Sequence, residues 1–574
     1  MSANRLKRVT GVVILFSLSL LIAFACISEN GGTTQNSPGS KTIPLWKTVV
    51  NATLVPTVTP SLTPDLPTPT STSTPNPAWT STPTPTVSPT PTVTPSPSPT
   101  PEPLSEREAY CRANALPTST PGPGETPTPV PTSPPGVADD EIPADWIAKM
   151  DEIEEWVLEI YQMDGSEAGE FRRILVDDQV WKDWRADAVK DWAEDEDSAI
   201  HLWEQINRAL TLLSADSNFA EFTADYQGES YMGVYDPIKR EIIIRASLDE
   251  FDVGTELAYV HEYAHHVQNL KYDFVSWRKC FEGDADASKA TTAFIEGDAS
   301  SAEYEYIETV IGWDAIYEYI DSLDEDNDDD SSVDAEPVMT RYRNEINDFI
   351  YSGGTLFAWA VGEFGDCRDC GTDRRRIDAA FEHPPFTTEQ IYDVSKYLDK
   401  EKRYTIDLPE DFMGADWDLR HGSTIGKSAW VVLLAALTGE DGDEIHMQFP
   451  EWDGDYGVLF EDKNGRALYV QVVRWRGDEY VNRLANVFDA NSRLTRRWTA
   501  PPSDDVAFAD YYLWEGDTGG IALGVESVLG WHYTMFLAVG PDIESAEKAV
   551  FDARDNATLD GKIMFSDSSA TPPP

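Results

Sequence analysis

Apolar residues recur along this chain at two spacings, and the change from one to the other marks its elements. Over residues 144–162, the positions Trp146, Met150, Ile153, Trp156, Val157 and Ile160 follow the period of a helix with one buried face. Residues 199–213 repeat that period. Residues 231–245 instead predict two strands, with a β-branched run at Ile242, Ile243 and Ile244 and a turn signal at Asp236-Pro237. Helical spacing returns over 255–268, where Leu257, Val260, Ala264 and Val267 line one face and no Gly or Pro intervenes as far as Leu270. Residues 285–310 read as a further helix. Past Arg403 the pattern predicts a short apolar helix over 428–438, then strands over 456–460 and 467–475 around the hairpin signal Lys463-Asn-Gly465. A helix over 478–488, strands over 511–514, 520–525 and 531–539, and a last helix over 543–553 complete an α+β chain.

Two stretches lack any such pattern. Residues 51–135 are a Pro, Thr and Ser tract with repeats such as Thr82-Pro-Thr-Pro-Thr86, which offers almost nothing to bury and reads as an extended stalk. Residues 1–25 combine the basic start Arg5, Lys7 and Arg8 with an uncharged apolar run and a small-x-small site at Ala23-Phe24-Ala25, an export signal. Cys26 follows directly and is the expected lipid attachment, with free secretion as the alternative. The expected organisation is a signal over 1–25, a disordered stalk over 26–137, a first folded domain over 138–403, an α+β module over 404–560 and a tail over 561–574.

Charge and cysteine content narrow the partners. The 101 Asp and Glu against 44 Lys and Arg give a net charge of −57, which argues against nucleic acid and against adsorption to anionic lipid. Membrane association is therefore expected only through the lipid anchor. If Cys26 carries lipid, Cys111, Cys280, Cys367 and Cys370 form an even set for two disulfides, with the pairing open. The acidic stretch 321–336 lacks the glycine that an EF-hand loop needs, so it reads as a solvated loop, with Ca2+ binding the lesser alternative.

The chemistry is concentrated in His261-Glu262-Tyr263-Ala264-His265. Residues four apart on a helix share a face, so His261 and His265 offer two imidazoles to one metal ion, and Glu262 stands beside them as general base. A catalytic zinc site wants a third protein ligand. Glu282 and Glu296, in the near-identical phrases Phe281-Glu-Gly-Asp-Ala285 and Ile295-Glu-Gly-Asp-Ala299, are equal candidates on spacing alone. A further donor to the reacting carbonyl oxygen is expected, and Tyr351, His383 and Tyr235 are the candidates. His266 points about 100° round the helix and reads as a packing residue. His421, His446 and His532 are isolated and read as structural.

The segment from His261 to Phe274, then Ala293-Phe-Ile-Glu-Gly-Asp-Ala299, then Pro384-Pro-Phe-Thr-Thr-Glu-Gln-Ile391 resemble, in that order, a family of exported bacterial zinc metallopeptidases of the gluzincin type. The family pattern is similar to HELxHALQDQxFDL, LVEGDA and PxSTEQILHP. Gly233-Val-Tyr-Asp-Pro237 and Trp452-Asp-Gly-Asp455 also look like theirs, and the resemblance spans roughly 145–488. It implies a zincin-like core, mostly helical with a small sheet ahead of the metal helix, one Zn2+ held by His261, His265 and Glu296, and a peptide or protein substrate. The chain departs from the pattern at Asp393, where the family carries His. That departure motivates an alternative, a catalytically inactive zincin-fold surface protein acting as a binding or structural module.

Overall fold

Strand β1 (Val137–Ala138) and helix α1 (Ala144–Ile160) open the fold of this computed structural model. The structure describes residues 133–139, 141–194, 198–281, 283–323, 336–363, 374–449, 451–477, 479–497, 508–528, 532–560 and 562–563. The export signal, Cys26 and nearly all of the Pro-rich stalk lie outside them, as do Cys111, Glu282, Cys367, Cys370, most of the acidic stretch and nearly all of the tail. Next come β2 (Arg172–Val176), α2 (Asp178–Glu194), α3 (Ile200–Ala209) and α4 (Phe219–Ser230). Strands β3 (Gly233–Asp236) and β4 (Glu241–Arg245) lead into α5 (Val253–Tyr272), which carries the two histidines. Helices α6 (Phe274–Arg278) and α7 (Ala285–Tyr306) follow, the latter running into a π-helical turn at Ile307–Ile311.

The helices continue with α8 (Trp313–Leu323) and α9 (Pro337–Asp348), a second π-helical turn at Phe349–Gly353, and α10 (Gly354–Glu363). After α11 (Arg374–Glu382), α12 (Thr388–Tyr392) and α13 (Val394–Leu398), strands β5 (Ile406–Asp407) and β6 (Trp417–Ser423) open the second half. That half contains α14 (Gly426–Thr438), α15 (Gly442–Gln448), β7 (Trp452–Asp462), β8 (Ala467–Arg476) and α16 (Glu479–Ala490). It ends with β9 (Leu494–Arg497), β10 (Asp510–Gly516), β11 (Gly519–Val528), β12 (His532–Gly540), α17 (Ile543–Asn556), β13 (Thr558–Leu559) and β14 (Lys562–Ile563). The class is α+β. Among the described residues no helix is long and apolar enough to cross a membrane.

The first sheet runs β1-β2-β4-β3, with β2 and β4 parallel and β3 an antiparallel edge. Leu175, Ile242 and Ile244 of this sheet and the apolar positions of α1, α5, α7 and α10 form one core. Helix α5 begins where the Asp252 side chain accepts from Thr255 N–H at 2.7 Å, and ends at Asp273 in the left-handed conformation, φ 51°. Periodicity predicts one buried face for this helix. The fold buries it on nearly every side, because the sheet covers one flank and α7 the other.

Helix α7 crosses the turn into α10 at a point where two glycines meet. A Cβ on Gly297 would lie 2.0 Å from the Gly354 carbonyl carbon, and one on Gly354 would lie 1.9 Å from the Ala293 oxygen. Only paired glycines allow this approach, and Glu296 sits beside the crossing.

The second sheet runs β6-β7-β8-β12-β11-β10-β9, antiparallel throughout. The hairpin signal at Lys463-Asn-Gly465 is its β7–β8 turn, with Phe460 opposite Leu468 and Gly465 at φ 75°. One face packs on α17. The other packs on α14, α15 and α16 together with α3 and α4, so residues 200–226 share a core with residues 430–539.

The remaining motif segments build the joint between the halves. Asp286 of α7 accepts from Thr388 N–H and Oγ1–H, both at 2.7 Å, and pairs with Arg403 at 2.8 Å. Glu389 accepts from the Trp452 N–H at 3.0 Å and pairs with Lys396 at 3.1 Å. Asp455 accepts from the Ile425 and Gly426 N–H groups and from the indoles of Trp430 and Trp452.

Candidate metal centre

His261 and His265 stand one turn apart on α5 and face Glu296 on α7. Nε2 of His261 lies 3.1 Å from Glu296 Oε2, Nε2 of His265 lies 3.0 Å from the same oxygen, and the two Nε2 atoms are 3.1 Å apart. All three side chains are buried, and among the described residues they form the one group of His, Cys, Asp and Glu able to share a metal ion. Donors on a tetrahedral ion with bonds of about 2.0–2.1 Å are separated by about 3.3 Å, so the spacing matches.

The far sides of the imidazoles are engaged. His261 Nδ1 is hydrogen-bonded to the Glu303 carboxylate, and His265 Nδ1–H donates to Gln268 Oε1 at 2.8 Å. Protons held at Nδ1 leave lone pairs at both Nε2 atoms, aimed at each other and at a carboxylate oxygen in a buried site. Such a cluster of lone pairs calls for a shared cation, and the residues present fit a divalent metal. Electrostatics agree. Burial draws the His261 pKa down, but Glu303 and Glu296 more than offset it and raise it well above the ordinary value. Burial pushes Glu296 up, and the two histidines pull it well below the usual carboxylate range.

Gln268 is itself fixed, its Nε2 donating to the Ile295 carbonyl at 3.0 Å and to Asp298 at 2.8 Å. Asp298 also accepts from Tyr161 Oη–H at 3.0 Å and from both ends of the Arg374 guanidinium at 2.7 and 2.8 Å. Each of the two imidazoles thus rests on a polar chain anchored in neighbouring helices. Glu303 and Gln268 escaped sequence reasoning, although each leaves a signal: Glu303 is two turns along α7 from Glu296, and Gln268 is three residues beyond His265.

Glu262 is fully buried, and neither carboxylate oxygen has a hydrogen-bond partner among the described residues. Burial pushes its pKa well above the ordinary value; His261 and the facing backbone amide of Tyr235 act the other way. Gly233 on β3 makes room for it, since a Cβ there would come within 2.8 Å of Glu262 Cγ and Oε1. An unpaired buried carboxylate beside a metal-ligand cluster is poised to exchange a proton.

Of the three candidate donors to a carbonyl oxygen, Tyr351 lies at the site, its ring 6.0 Å from that of His261 on the second π-helical turn. Tyr235 turns elsewhere: its hydroxyl meets His266 Nδ1 at 3.2 Å and Asn269 at 3.4 Å. His383 follows α11, and its carbonyl accepts from the Tyr397 hydroxyl at 2.8 Å. His266 is a packing residue, donating to the Ala168 carbonyl at 2.7 Å against the Phe171 ring. Asp393 caps α13 through Ser395 N–H at 2.9 Å, a role in which a histidine's chemistry is not needed. His446 stacks on Tyr392, and His532 Nδ1 pairs with Asp453 at 2.9 Å. Cys280 is disulfide-bonded.

Comparison of the chain with protein-family models, with curated proteins and with solved structures finds no match.

Proposed function

We propose that this chain is a zinc metallopeptidase of the gluzincin type. The observation that carries the reading is the buried triangle of His261 Nε2, His265 Nε2 and Glu296 Oε2, with sides of 3.0–3.1 Å and an unpaired Glu262 carboxylate next to it. A bound zinc ion supplies the charge that activates water and polarises a carbonyl. The protein groups do the rest. Glu262 takes the proton from the attacking water on a carboxylate oxygen and passes it to the leaving amide nitrogen. Burial, which raises its pKa, suits it to hold that proton between the two transfers. The Tyr351 hydroxyl is the proposed donor to the carbonyl oxygen as negative charge develops there. The edge of β3, which has no strand partner among the described residues and carries Gly233 against Glu262, offers an extended peptide a strand to pair with.

On this reading residues 1–26 deliver the enzyme to the outer face of the membrane, where the Pro-rich tract spaces it from the lipid. The test is elemental analysis of the purified chain beside Glu296→Ala and Glu262→Gln, with a broad peptide library as substrate. Near-stoichiometric zinc is expected in the wild type and in Glu262→Gln, and loss of zinc in Glu296→Ala. Hydrolysis is expected in the wild type alone. Zinc bound with no hydrolysis by the wild type would transfer the reading to the inactive binding module.

A further inference from the structure

Arg278 ends α6, the short helix that follows the metal helix after Asp273. Two helical registers bring it to the metal centre. Phe274, one turn earlier on the same face of α6, lies against His265 with ring centroids 6.3 Å apart. Thr292, whose hydroxyl accepts from Arg278 Nη2–H at 3.1 Å, is one turn before Glu296 on the same face of α7. The guanidinium is thus tied to the residue one turn before Glu296, its helix packs on His265 through Phe274, and it interacts electrostatically with Glu296. Cys280, two residues on, is disulfide-bonded and pins this end of the helix.

The company it keeps is unusual for this protein. Acidic residues outnumber basic ones by 101 to 44, and Arg172, Arg173, Arg374, Arg403 and Arg554 each pair with a carboxylate. Arg278 is half-buried, and among the described residues its one hydrogen bond is to the neutral Thr292 hydroxyl. Glu296, the acid it senses, is already engaged by both histidines. A planar guanidinium with its remaining N–H groups uncommitted matches a carboxylate in bidentate fashion. One helical turn is about 5.4 Å, and one to two residues of extended peptide span about 3.5–7 Å.

We propose that Arg278 anchors a carboxylate of the substrate, carried within one or two residues of the peptide bond presented to His261, His265 and Glu296. The inference rests on the peptidase reading and names its substrate class: peptides cleaved next to a free C-terminus or to an acidic side chain. Arg278 binds and positions; the proton transfers stay with Glu262.

The experiment uses the zinc-loaded full chain and four fluorescent N-blocked tripeptides, one pair differing as free acid against C-terminal amide, the other, amidated, as Asp against Asn. Binding is read by anisotropy and hydrolysis in parallel. At least one anionic member is expected to bind about tenfold or more tightly than its neutral twin, as a charge-assisted hydrogen-bonded pair requires, and which pair responds identifies the source of the carboxylate. Arg278→Gln is expected to abolish that preference by raising KM for the anionic peptide; Arg278→Lys should keep part of it. Equal binding within both wild-type pairs overturns the proposal without any variant, as does a preference that survives Arg278→Gln or an equal loss of kcat on all peptides. Hydrolysis without preference overturns the anchor alone. Preference without hydrolysis overturns the peptidase reading and leaves the anchor. Neither binding nor hydrolysis overturns both.

Discussion

Glu303 is the residue whose contribution is easiest to separate from that of the proposed metal ligands. It holds Nδ1 of His261 while Nε2 of the same ring faces Glu296. A metal ligand must present a neutral ring with its lone pair at Nε2, so a carboxylate on the opposite N–H selects the tautomer and strengthens the donor. Glu303→Gln is therefore expected to weaken zinc binding about 10–100-fold with the fold intact, measured by competition with a chelator. Glu262→Gln is expected to do the reverse: unchanged metal affinity, with hydrolysis down by about 10²–10⁴-fold, the usual weight of a general base. A Glu262→Gln variant that lost its metal would mean that this carboxylate is itself a ligand. Gly233 belongs at the same scale, because its missing side chain gives the Glu262 carboxylate its space.

Among the elements, the crossing of α7 with the start of α10 decides where Glu296 stands. The atom that would meet a Cβ on Gly354 is a backbone oxygen at 1.9 Å, which has no rotamer by which to move away. Gly354→Ala is expected to cost more than the about 1–3 kcal/mol of ordinary overpacking, lowering Tm and reducing zinc content by displacing α7. Gly283→Ala, with open space around its Cβ position, is the control and should leave both unchanged. A second element contact, α9 against α15, governs pH behaviour. Burial pushes the Glu345 pKa up from 4.5 to about 7, and Asp348, Asp441 and Asp443 add to the rise. The folded chain then binds this proton more tightly than the unfolded chain, so stability falls as pH rises between about 4.5 and 7. Glu345→Gln is expected to raise Tm at pH 8 and to leave it unchanged near pH 4.5. Equal Tm for variant and wild type at both values would remove Glu345 from the account.

At the scale of the whole molecule, chain order and packing order diverge. Helices α3 and α4 precede the metal helix in sequence, yet Ile206, Phe222 and Tyr226 are buried in the core that Trp430, Trp475 and Trp514 build beneath the second sheet. A cut at residue 403 separates segments that share this core and also breaks the Glu389–Trp452 connection at the joint. A fragment of residues 138–403 is expected to lack a cooperative thermal transition and to aggregate through the exposed faces of α3 and α4, whereas residues 133–563 should unfold cooperatively. Circular dichroism on the two fragments decides the matter; an independently folded 138–403 would show that the shared core is dispensable.

Local pattern was enough to read much of this protein. The helical period placed the start of the histidine-bearing helix to within two residues and its end to within four, the β-branched run gave β4, and the Asn-Gly pair gave the β7–β8 turn, because each depends on neighbours in sequence. The pairing of His261 with His265 was legible for the same reason, being one turn of one helix. What pattern left open is what depends on contact between distant segments. Spacing could not choose between Glu282 and Glu296 as candidate third ligand; the packing of α7 on α5, with α7 held close to the start of α10 by paired glycines, is what brings Glu296 Oε2 to both imidazoles. Likewise, only tertiary structure turned Tyr235 towards His266 and Tyr351 towards His261, tied Arg278 to Thr292 one turn before Glu296, and placed α3 and α4 in the second core. A residue's period along the chain says which face it occupies, but what stands opposite that face is decided by how the elements pack.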